Sequence, residues 1–172
     1  MMRRLVEWFA SKLSAPRIIQ GPSGDTKYLS RYYLVHGQRP TMADGSDPFD
    51  KFGNPKPGAI WPDTSWSLYL HHFHRSDVDR ELHNHPWEWA VSLILVGGYT
   101  EERRVGDGVR VKLFLPGELN RIGQNDFHRV DLVEDDAWSL FLVGPKVSGW
   151  GFWDRASGAV TPWREFLAGK QS

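Results

Sequence analysis

Apolar positions change their spacing along this chain, and the spacing predicts the elements. In "MMRRLVEWFASKLSAP" Leu5, Trp8, Phe9 and Leu13 recur at helical intervals, and Pro16 follows as a stop. This predicts a short amphipathic helix docked on the domain; contact with a membrane surface is the alternative use of such a helix. Glu7, Ser11 and Lys12 interrupt the apolar segment, which argues against a signal peptide. After Pro16 the pattern turns extended: "RIIQ", a turn in "GPSGD", then "KYLSRYYLV".

Residues 36–65 follow no period and are punctuated throughout by glycine and proline. A stretch this long without pattern reads as a surface insertion or as a lid over a pocket. From Trp66 onward short strands succeed one another: "WSLYLHHFH", "EWAVSLILV", "YTEERRV", "VRVKLFL", "LNRIG", "FHRVDLV" and "WSLFLVG". Turn residues separate them, and "RRVGDGVRV" predicts a hairpin with Asp107-Gly108 at its tip. Many short strands with turns between them indicate an all-β sandwich or barrel. "TPWREFLAGKQS" predicts a short terminal helix, capped by Thr161 with Pro162 at its first position. The expected division is 1–35 as helix and hairpin packed on the barrel, 36–65 as the loop, and 66–172 as the barrel with an aromatic closure.

Composition narrows the function. Lys+Arg and Asp+Glu both number 21, so no basic surface for nucleic acid is expected. No apolar run is long enough to span a membrane. Cysteine is absent, which excludes disulfides, thiolate metal sites and a cysteine nucleophile. That composition suits a cytoplasmic protein. No nucleophile–base–orienter set and no phosphate loop is visible.

Histidine is the exception to this plainness. Five of the seven lie between His71 and His85. In an extended "HNH", His83 and His85 point the same way and Asn84 the other. His128, opening a later strand after a polar turn, is the best third partner for a divalent metal. His72 and His74 form a second pair that could line the same cavity. Trp87 and Trp89 could wall a pocket for an apolar or planar substrate, and Arg80 could meet a substrate carboxylate.

The order of an HxH pair, an apolar strand ending at Gly97, a hairpin, and a turn followed by His128 resembles the cupin superfamily over about Trp66 to Gly144. "DRELHNHPWEWAVSLILVGGYTEE" with "GPKVSGWGFW" is similar in particular to small cupin-like proteins of bacteria and their phages, which implies the fold and no particular reaction. The resemblance implies a double-stranded β-helix barrel and a metal held by His83, His85 and His128. Two features depart from the family pattern. The glutamate slot falls on Trp89 or Ala90, with Glu88 one residue early, and "GQN" at Gly123–Asn125 replaces the usual Pro-x-Gly turn. The site is therefore either three-histidine or three-histidine with Glu88. Iron, zinc, manganese or nickel suits such ligands. The leading expectation is a metal-dependent dioxygenase acting on a small polar molecule. A metal-dependent isomerase or lyase is the second expectation, and a non-catalytic ligand-binding or interaction module the third. Cupins pair through their sheets, so a homodimer is expected.

Overall fold

A computed structural model describes residues 1–20, 26–37, 40–50, 55–62, 65–77 and 81–169. Its elements are helix α1 (Met2–Ala10), strands β1 (Arg17–Gln20), β2 (Lys27–Val35), β3 (Ser67–Phe73), β4 (Leu82–His83), β5 (Trp89–Val96), β6 (Tyr99–Val105), β7 (Gly108–Phe114), β8 (Leu119–Gly123), β9 (His128–Leu132), β10 (Ala137–Val143), β11 (Gly151–Trp153) and β12 (Val160–Pro162), and helix α2 (Trp163–Gly169). Two six-stranded antiparallel sheets run β1-β2-β3-β10-β5-β8 and β12-β11-β4-β9-β6-β7. From β3 to β6 each strand lies in the opposite sheet to the last, and so it is again from β8 to β11. This is the all-β double-sheet barrel that the strand pattern predicts.

Alternation supplies the interior. Along β5 the residues alternate between buried and part-buried, with Ala90, Ser92, Ile94 and Val96 buried. Tyr69, Ala90, Ile122, Phe141 and Val143 form one interior cluster, and Ile94, Tyr99, Phe114 and Val130 another. Removing such side chains from water is the main stabilising term of the barrel. Gly97 ends β5 at φ 72°, and a Cβ there would stand 2.3 Å from the Asp136 carbonyl oxygen, so only glycine fits.

Four local expectations are corrected by the structure. The first helix turns Val6 and Ala10 onto Leu70, Val96 and Trp138, whereas Leu5, Trp8 and Phe9 are exposed. The sheet takes the narrow stripe of small side chains, because those let the helix approach. The hairpin pairs Val105 with Gly108, so its tip is Gly106-Asp107. The residue needing positive φ is the first of the two, Gly106 at 58°, which suits a turn with glycine leading. Thr161 and Pro162 do not start the last helix. They pair with Phe152 and Gly151 in edge strand β12, where the missing proline N–H costs no ladder bond, and α2 begins at Trp163. Finally, 36–65 is not featureless: Thr41 bridges Ile60, and Phe49 bridges Pro55 and lies under the Lys146 ammonium at 4.1 Å. The "GPSGD" turn falls outside the described residues.

Candidate metal centre

Short strand β4 builds the site. It pairs with β9 on one side and β11 on the other, which sets His83 directly opposite His128. Asn84 turns the other way. Its side-chain oxygen accepts from the Gly151 N–H at 2.8 Å and its amide donates to the Gln124 carbonyl at 3.2 Å. Those two bonds hold the "HNH" backbone extended, so His83 and His85 share a face. One nitrogen from each of His83, His85 and His128 lies within 4.8 Å of the other two. The turn before β9 is closed by the Asp126 carboxylate, which accepts the Gly123 N–H at 2.8 Å; Gln124 and Asn125 keep negative φ.

A carboxylate that sequence reasoning missed sets the state of this group. Glu101 on β6 is 2% exposed. It lies within 2.7 Å of His128 Nδ1, and it accepts from the Asn120 amide at 2.7 Å and twice from the Arg103 guanidinium, at 2.9 and 3.0 Å. Burial alone would lift its pKa, but the bonds from His128, Arg103 and Asn120 outweigh burial and bring it down to about 2. An ionised carboxylate only accepts. His128 Nδ1–H is therefore the donor in that contact, which turns the ring so that Nε2 looks into the site. That Nε2 faces His85 Nε2 at 2.9 Å. Burial first, and then the neighbouring His128 and His83, hold the His85 pKa well below the ordinary histidine value. His85 is thus neutral near pH 7, the form that ligates a metal.

The donor set fits a divalent first-row ion. Imidazole nitrogens suit iron, zinc and nickel, and two of the three face each other closely enough that a shared proton or cation belongs between them. The carboxylate–histidine arrangement at Glu101 and His128 is the outer support that metal-binding imidazoles usually have.

Other candidates sit elsewhere. Glu88 is exposed, and its N–H and C=O are bonded to Pro145 and Gln124. The three-histidine group does not include it. His72 lies on the opposite face of β3 from His71, stacked on Trp138 at 3.8 Å and paired with Asp136 at 2.6 Å beneath α1. His74 bonds to Ser30 at 2.8 Å. Trp87 is at the centre, its ring 5.3 Å from His85 and 5.7 Å from Phe141. Trp89 points outward and is packed over Gly144. Arg80 lies outside the described residues. A cavity of about 330 Å³ opens on the Asn84 side of β4, lined by Trp150, Gly151 and Pro162. The inward row of β6 was the available signal for Glu101: Tyr99, Glu101 and Arg103 alternate in "YTEERRV".

No family model matches the chain, and no curated protein does. Solved structures do match it. A cupin-2 domain protein from Rhodospirillum rubrum is 15% identical at a TM-score of 0.52, covering 81% of this chain and 75% of that one. The iron(II) form of HppE with substrate is 11% identical at 0.48, covering 74% and 56%. The DMSP lyase DddQ from Ruegeria pomeroyi is 13% identical at 0.47, covering 78% and 59%. This chain thus spans little more than half the length of those two enzymes.

Proposed function

Starting from a chain that is a cupin by fold, we propose that it is a metal-dependent enzyme of small polar molecules, holding one divalent ion with His83, His85 and His128. The observation that carries this reading is the convergence of the three histidines, with Glu101 accepting from His128 Nδ1 and so turning its Nε2 toward His85. A metal-ligating imidazole usually gives its other N–H to a partner of this kind.

Three neutral imidazoles leave such an ion its full charge and open positions, which supplies Lewis acidity and, with iron, electrons for dioxygen chemistry. Oxygenation is the first reading on that ground. The protein's own share is positioning. Glu101 fixes the ring plane and tautomer of His128, Asn84 sets the spacing of His83 and His85, and Trp87 walls the approach to His85. Phe141 stands 6.3 Å from His85 on the interior side.

The test is metal content by mass spectrometry on untagged protein, beside a His83→Ala/His128→Ala variant. Near-stoichiometric metal in the parent and its loss in the variant support the reading. Iron favours oxygenation, whereas zinc or manganese favours isomerase or lyase chemistry. No metal in either protein, after incubation with iron, zinc, manganese and nickel, would overturn it in favour of a non-catalytic binding module.

A further inference from the structure

Arg31 on β2 is in register with His71 on β3, and His71 with Ser139 on β10. All three side chains belong to the inner wall, where His71 stacks on Phe141 at 4.7 Å. The Arg31 Nε–H donates to His71 Nε2 at 3.0 Å. Its guanidinium carbon stands 4.7 Å from the centre of the Tyr69 ring and 5.7 Å from that of Trp87. Among the described residues no carboxylate forms an ion pair with it. Arginine keeps its charge at any physiological pH. A part-buried cation without a counter-charge carries a desolvation cost, and two aromatic faces offset only part of it.

The neighbours offer the fork only neutral acceptors, the His71 ring nitrogen and the Tyr33 hydroxyl. Because Arg31 donates to Nε2, the proton of neutral His71 sits on Nδ1, which is buried and has no partner among the described residues; the ring as a whole is 3% exposed. The Ser139 hydroxyl is buried and unpartnered in the same way. One row across three strands thus holds a charged fork and two unanswered polar groups. Buried polar groups in native proteins are nearly always answered, so an orphaned row is informative. The row also abuts the three-histidine group, since Trp87 touches both Arg31 and His85.

We propose that Arg31 recognises a carboxylate on the small molecule that the site takes, and that the rest of that molecule reaches toward His85 past Trp87. The planar fork matches a carboxylate in two parallel hydrogen bonds. A single cation beside a neutral His71 balances one negative charge, which favours a carboxylate over a dianionic phosphate. The inference rests on the metal reading only for what lies at the molecule's other end.

The test follows the thermal midpoint across a titration with sodium acetate, at ionic strength held constant with sodium chloride. Inorganic phosphate and neutral acetamide are run alongside. Acetate should stabilise the parent, acetamide should not, and phosphate should act more weakly. Arg31→Gln should weaken the acetate response by about ten-fold or more, the loss of one charge-assisted bond pair. Arg31→Lys, which keeps the charge without the fork, should fall between and covers the case where the first variant fails to fold. An acetate affinity in Arg31→Gln within about two-fold of the parent overturns the proposal. So does acetamide matching acetate, or phosphate binding more tightly through Arg31. Repeating the titration in the His83→Ala/His128→Ala variant separates the two ideas. A response that survives there and needs Arg31 supports this site even if no metal binds. A response that vanishes with the histidines but ignores Arg31 overturns it and leaves the metal reading standing.

Discussion

Replacing Glu101 by glutamine removes one charge and almost no volume, so it asks what the buried carboxylate does. In the parent, Glu101 answers His128, Asn120 and two donors on one edge of the Arg103 guanidinium. Glutamine keeps one acceptor oxygen, which can still serve His128 and Asn120. Its NH2 then meets the Arg103 Nε–H, donor against donor. Arg103, whose side chain is 12% exposed, keeps Asp126 as its remaining carboxylate partner. A charged hydrogen bond is worth ~1.5–3 kcal/mol, and breaking a buried pair costs ~3–5 kcal/mol. With Asp126 still present, a loss of ~3 kcal/mol is expected in a urea titration with chelator. Metal affinity should fall ~10–100-fold, as when an outer partner of a ligating histidine is removed. A competitive chelator titration reads this directly. Asp126→Asn is the control: it also disturbs Arg103 but keeps a side-chain oxygen for the Gly123 N–H that closes the turn before β9, so metal affinity should hold. If Glu101→Gln loses stability yet binds metal like the parent, the network is scaffolding and the tautomer argument fails.

Other expectations follow from the same geometry. Gly97→Ala should cost ~2 kcal/mol or more in urea unfolding, because alanine is strained at φ 72° and its methyl meets the Asp136 carbonyl; a neutral result would mean that the strand end moves freely. Arg3→Ala should cost under ~1 kcal/mol despite its two ion pairs, since Arg3 and Glu134 are well exposed, whereas Val6→Ala should cost ~1–2 kcal/mol by opening the seat of α1; the reverse ranking would overturn the view that packing holds the helix. Burial, with the charges of His72 and Lys27 behind it, lowers the His74 pKa to about 4. The unfolded chain therefore takes its proton first as pH falls below about 6.5. Stability should decline from there to about pH 4 and then level for this group, with a shallower decline in His74→Gln; identical slopes in the two proteins would refute the assignment.

How much of this was legible in the sequence differs from element to element. The apolar run "EWAVSLILV" and the short "LNRIG", each bounded by turn residues, placed β5 and β8, although which face is buried was not legible: Asn120 is inside and Leu119 outside. Strands β4 and β11 have two and three residues, too few for any period to register, yet β4 is the piece that sets His83 against His128. The first helix shows where the pattern misleads: its largest apolar residues stay outside, since the sheet decides which face fits.

By itself the sequence determined the barrel class, the missing thiol chemistry and the trio His83, His85 and His128, because short strand segments between turns, and residue type, carry that information. Only the tertiary structure decided what stands behind the trio. Glu101 and His128 are 27 residues apart and meet because β6 and β9 are neighbours. Arg31 and His71 are 40 apart and meet because β2 extends the other sheet. A charge is read from the chain; its partner, or its lack of one, depends on which strands pair, and that is a property of the whole fold.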